Sequence, residues 1–246
     1  MSGYNDFALV YDSLMQDADY EKRAQYLKEL FLRYDRIPTL MLDFACGTGG
    51  FSLEFAKQGI EVIGADISEG MLSIAREKAD KQNLSVMFLN QSGNELDLYG
   101  TVDGAICCLD SINHITNKNE LKKALKNIAL FLEKDRLFIF DVNTPYKHKK
   151  VLGNNTFVIE QDDIFCTWQN YLGANNTVDI YLDFFVNQNG SYTRYRDNFS
   201  ERAYTDEELK IMLKNAGFEV LDVLGDLSFN APGKNSQRNI YIAKRI

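Results

Sequence analysis

The stretch LDFACGTGG, residues 42–50, ends an apolar run in a carboxylate and then places glycine at 47, 49 and 50. A strand closing at Asp43 and turning through Ala45, Cys46, Gly47, Thr48 and Gly49 into a helix brings bare main chain up to a ligand. The carboxyl end of the strands is the edge at which open α/β sheets bind ligands. Glycine is required there where a Cβ would strike the ligand or where φ must be positive. The Asp43 carboxylate would repel a pyrophosphate and attract an ammonium. A dinucleotide fingerprint also wants glycine or alanine three positions after Gly49, where this chain has Ser52. NAD-dependent oxidoreduction is therefore disfavoured.

Outward from this loop, short apolar strands alternate with amphipathic helices. TLMLDF is followed by a helix over FSLEFAKQG, the strand IEVIGAD, a helix from Ser68 to about Lys81 and the strand LSVMFL. The strand VDGAICC, a helix from Asn119 to Leu132 and the strand RLFIFDV complete the run. This rhythm predicts right-handed βαβ units and a mostly parallel sheet covered on both faces. Upstream, Tyr20, Ala24, Leu27, Leu30 and Phe31 fall at helical spacing, so a helix covers Tyr20 to Tyr34.

After Pro145 the period changes. TFVIEQ, IFCTWQNYL, TVDIYLDFFV and SYTRYRDNF alternate along an antiparallel sheet, with Asn189-Gly190 as a hairpin turn. Thr205 and Glu208 then form a capping box, Gly217 ends that helix, and FEVLDVLG and NIYIAKRI supply two more strands. Three parts are expected: a helical cap over 1–38, a ligand-binding α/β body over 39–150 and 204–246, and an inserted antiparallel β lid over 151–203.

The net charge of -8 comes with scattered Lys and Arg, which disfavours a nucleic-acid substrate. No apolar run approaches a membrane span, and the opening MSGYNDFALVYDSLMQDADY lacks the basic start and apolar core of a signal peptide. A soluble, cytoplasmic protein is expected. Cys46, Cys107, Cys108 and Cys166 have no metal-ligand spacing, so reduced thiols and no metal are expected.

LDFACGTGGFSLEFAKQGIEVIGADISEGML resembles the first two motifs of class I S-adenosylmethionine-dependent methyltransferases. The match continues through VDGAICCLDSINHI and LFIFDVNT to ERAYTDEELKIMLKNAGF, about three quarters of the chain. FALVYDSLMQDADY is similar to the opening of a bacterial subgroup of small-molecule methyltransferases. The resemblance implies a Rossmann-like sheet of seven strands with the last antiparallel, and S-adenosyl-L-methionine as cofactor with S-adenosyl-L-homocysteine as product. It places Ala45, Cys46, Gly47, Thr48 and Gly49 along the methionine portion, Asp43 near its ammonium and Asp66 on the ribose. Ile67 and Met71 would pack on the adenine, Leu109 would lie near the sulfonium, and Tyr11 would wall the pocket. Where the family commonly has an acidic residue toward the adenine amino group, this chain offers Ser92, with Gln91 or Asn94 as substitutes.

For catalysis the candidates are His114, Asp110 and Asn113 in LDSINH, after the fourth strand. A histidine there has the chemistry to take a proton from a hydroxyl or ammonium, and equally to cap the next helix. His148, beside Lys147, Lys149 and Lys150, reads as a surface residue. The acidic surface and the absence of an N-P-P-Y type signature favour a small-molecule methyl acceptor. The alternatives are an RNA or protein substrate and a non-catalytic cofactor-binding protein. Oligomeric state is not legible in the sequence.

Overall fold

The structure is a computed structural model that describes residues 8, 11–15, 18–161, 163–188 and 190–246. Residues 11–14 are helical and lead to α1 (Tyr20–Tyr34). The α/β body follows as β1 (Leu40–Phe44), α2 (Gly50–Lys57), β2 (Glu61–Asp66), α3 (Glu69–Lys81), β3 (Met87–Asn90) and β4 (Gly104–Cys107). Then come the short α4 (Ser111–His114), α5 (Lys118–Phe131) and β5 (Leu137–Asn143). A π-helical turn (Lys147–Leu152) leads into β6 (Thr156–Gln161), β7 (Ile164–Leu172), β8 (Thr177–Gln188) and β9 (Ser191–Arg202). The chain ends in α6 (Asp206–Ala216), β10 (Phe218–Gly225) and β11 (Arg238–Arg245).

Seven strands form one sheet in the order β10-β11-β5-β4-β1-β2-β3, with β11 antiparallel to both neighbours, as the resemblance implies. Burial on both faces accounts for the nearly continuous apolar strands. Along β5, Phe138, Phe140 and Val142 face the core under α5 and α6, whereas Leu137 and Ile139 face the core under α1 and α2. The same alternation divides Met41 from Leu42 in β1 and Ile240 from Tyr241 in β11.

The remaining strands form a second, antiparallel sheet in the order β6-β7-β8-β9. Its inner face buries Val178, Ile180, Leu182 and Phe184 of β8 against Ile164, Cys166 and Leu152. β8 and β9 pair from Thr177 opposite Arg202 to Gln188 opposite Ser191, while Asn189 of the expected turn lies outside the described residues.

Two strands start later than their apolar runs suggest. Leu84 donates its N–H to Ala79 O in closing α3, so β3 begins only at Met87. Val102 bridges Leu132, and the Asp103 carboxylate receives the Thr39 and Leu40 N–H groups, so β4 begins at Gly104.

Candidate active site

The carboxyl ends of β1, β2 and β4 open on a cavity of two lobes that share Ala45, Asp66, Ile67, Ser111 and His114. The larger lobe, about 300 Å³, runs past Gln91, Ser92, Gly93 and Asn94 to Glu120 and Ala124. The smaller, about 150 Å³, is walled by Tyr11, Gly47, Ser68, Met71 and Leu109.

Asp66 ends β2 at the junction of the lobes. Its Oδ2 accepts the Gly47 N–H at 2.8 Å and its Oδ1 accepts the Ser68 N–H at 2.8 Å. Burial raises its carboxyl pKa, and these two backbone donors oppose that rise. A carboxylate retains further lone pairs for hydroxyl donors. Ile67 beside it is 70% exposed, an apolar side chain left uncovered at the mouth of the cavity.

Ala45, Gly47, Asp66, Ile67, Met71, Gln91, Ser92, Leu109, Tyr11 and His114 all line the cavity. Ser92 donates its hydroxyl to Glu95 at 2.9 Å, leaving its oxygen as an acceptor. Both ends of the Gln91 amide are taken by the Asp97 backbone. Tyr11, hydrogen-bonded to Tyr20, has its phenol pKa pushed up by burial.

Other expected site residues are placed differently. Asp43 is 1% exposed and lines neither lobe; its Oδ2 accepts the Ser52 hydroxyl at 2.6 Å. Burial pushes the Asp43 carboxyl up to about 7 against that hydrogen bond, so Ser52 is the partner of a buried acid. The side chain of Cys46 lies against Gly64, and burial raises its thiol pKa. Thr48 is buried and donates to Asp12 at 2.7 Å, and Lys78 joins both at 3.2 and 2.7 Å. This clasp ties the N-terminal segment beside the glycine loop. Gly49 is the N-cap of α2.

The turn after β4 is held by charges the sequence reading missed. Leu109 and Asp110 both have positive φ, 54° and 53°, a conformation that costs about 1–3 kcal/mol for residues other than glycine. Their N–H groups are fixed on the Asp141 carboxylate at 2.8 and 2.7 Å. Arg238 bridges Asp141 and Asp110, reaching the latter at 2.5 Å. Burial alone would raise the Asp110 pKa, but Arg238, Lys147 and His114 hold it below the usual carboxylate range. Asp110 and Asn113 therefore support the site and do not line it. Asn113 is fully buried, donating to Asn143 O and Arg202 O and accepting the Asn143 N–H. His148, expected on the surface, is likewise fully buried beside Glu201.

Position in the fold offered a signal for Asp141, which lies near the carboxyl end of β5. Glu201 had none, because its partners come from α4 and the π-helical turn, far from it in sequence.

Residues 41–135 match the family model described as a methyltransferase domain. The chain is 33% identical to an S-adenosylmethionine-dependent methyltransferase from Clostridium acetobutylicum, covering 98% of each chain with a TM-score of 0.90. The chain belongs to the class I S-adenosylmethionine-dependent methyltransferases, enzymes whose cofactor is S-adenosylmethionine. "Putative methyltransferase YqeM" of Bacillus subtilis is 33% identical over 98% of this chain and 97% of its own. At 16% identity, the sugar N-methyltransferase KedS8 from Streptoalloteichus shares the fold, with a TM-score of 0.80 over 97% of this chain and 92% of its own.

Three features fit that cofactor. Gly47, with φ +55°, faces space in which an added Cβ would meet no protein atom within 4 Å. Asp66 presents a carboxylate at the junction of the lobes, and the exposed Ile67 offers an apolar surface beside it.

Proposed function

We propose that this enzyme methylates a small-molecule nucleophile, with Asp66 holding the ribose hydroxyls of the cofactor. In this reading Ala45 and Gly47 line the methionine portion, Ile67 and Met71 pack on the adenine, and Ser92 accepts from its amino group. Leu109 lies near the sulfur and Tyr11 covers it. The single observation that carries the reading is the continuity of one cavity from Ser92, past Asp66 and Gly47, to His114 and Tyr11.

Bound in this cavity, S-adenosylmethionine would supply an electrophilic methyl carbon to the acceptor's lone pair. The chain's own residues bind, orient and enclose. Tyr11 and Leu109 wall the methionine lobe, so that alignment within it contributes a large part of the rate. The Asp141 and Arg238 network fixes the turn that carries Leu109 and Ser111 into the cavity. Phe199 of β9 stacks on His114 at 5.0 Å, which brings the second sheet to the acceptor end.

A small acceptor agrees with the net charge of -8 and with the sugar substrate of KedS8. Four free cysteines support action in the reducing cytoplasm. The test is transfer of isotope-labelled methyl from S-adenosylmethionine into separated metabolite, RNA and protein fractions. Label in the metabolite fraction supports the reading; label confined to RNA or protein overturns it.

A further inference from the structure

Glu201 is the least expected charge in the molecule. It is 4% exposed, at the end of β9, and lies between the two histidines of the chain. Its Oε1 is 3.8 Å from His114 Nε2, and its Oε2 is 3.3 Å from His148 Nε2 and 3.2 Å from Asn143 Nδ2. His148 Nδ1 lies 2.8 Å from the carbonyl oxygen of Asn176. A carbonyl only accepts, so Nδ1 carries a hydrogen and anchors the ring beside Glu201. Glu201 thus lies buried between the two imidazoles, with Oε1 on the side of His114 and Oε2 on the side of His148.

His114 is the member of this group that reaches the cavity, lining both lobes. We propose that His114 takes the proton released by the methyl acceptor, and that Glu201, backed by His148, is the positioning residue that stabilises the resulting imidazolium. The inference rests on the methyltransferase reading of the same site and narrows the acceptor to one that arrives protonated, a hydroxyl or an ammonium nitrogen. In the step, the acceptor's O–H or N–H bond breaks with its electron pair left on the acceptor. The proton binds a lone pair of the imidazole and passes afterwards to water.

The charged groups around His114 are Glu201 from β9, Asp110 from its own short helix and Asp66 from the end of β2, with Arg238 and Lys147 behind Asp110. Asp110, His114 and Glu201 also lie close enough to share a metal ion. Asp110 is already engaged, by Arg238 on Oδ1 and by Asn143 on Oδ2, so the group reads as a proton relay.

With two histidines in the chain, nuclear magnetic resonance of the imidazoles, recorded against pH on cofactor-free protein, reads both directly. In Glu201→Gln the His114 midpoint moves to lower pH by about half a unit or more, because a stabilising negative charge has gone. The His148 ring signals move with it, while calorimetry shows S-adenosylmethionine binding within about twofold of wild type. With an acceptor in hand, His114→Asn lowers kcat by about 100-fold or more with little change in the cofactor KM. An unmoved His114 midpoint in protein that binds the cofactor overturns the relay alone. Tight zinc binding that is lost in both Glu201→Gln and Asp110→Asn overturns it in favour of a metal site. Failure of wild type to bind S-adenosylmethionine overturns the parent reading instead.

Discussion

At Asp43 the carboxyl is pushed up to about 7, above the value near 3.8 that it has when solvated. Its contribution to stability is therefore fully present below about pH 4 and is lost as the pH rises through about 7. Asp43→Asn lacks this slope, so its melting temperature gains on wild type between pH 4 and 7 and holds a constant lead above about pH 8. A series of thermal melts across that range checks it; parallel curves would show that Asp43 is ionised throughout. In the proposed reading Asp66 has the opposite task of presenting a carboxylate to the cofactor. Asp43, Ser52 and Asp66 show what single positions reveal. Ser52 argued against a dinucleotide by its mere presence, but its bond to Asp43 was not legible, because sequence spacing does not report which way a buried carboxylate turns.

Among the elements, α1 ties β10 and the stretch after it to the glycine loop. Arg23 pairs with Asp226 at 2.8 and 3.1 Å, Tyr26 donates to Ser228 O at 2.5 Å, and Tyr34 donates to Asp222 at 2.6 Å. At its other end, Tyr20 packs so closely on the glycine loop that a Cβ at Gly50 would lie 2.3 Å from the ring. Gly50→Ala is therefore expected to destabilise the protein by about 1–3 kcal/mol through overpacking, with Tyr20→Ala relieving part of that loss. Additive effects in a denaturant-based double-mutant cycle would disprove the contact. The helix itself was legible from its apolar spacing, and so were the strands of the second sheet. In that sheet Phe184 is fully buried, so Phe184→Ala is expected to cost about 3–5 kcal/mol in the same assay.

On the scale of the whole molecule, alternating periods marked out the α/β body and the second sheet, because each period reports which faces are buried. The cavity was legible where it is built from two short local turns, residues 44–47 and 66–71, in which backbone requirements select residue types. The proposed acceptor end was not. Asp141, Glu201, Arg238 and His148 converge there from β5, β9, β11 and the π-helical turn, separated by up to 97 positions, and no local pattern records that convergence. The proposed function rests on the cofactor site. Calorimetric titration of wild type and Asp66→Ala with S-adenosylmethionine and S-adenosylhomocysteine, with NAD as control, tests it most directly. Loss of charge-assisted hydrogen bonds worth about 1.5–3 kcal/mol each predicts affinity at least about tenfold weaker in the variant. Wild type should bind both sulfur ligands in the micromolar range and leave NAD unbound; equal affinity in wild type and variant, or binding of NAD alone, would contradict the assignment.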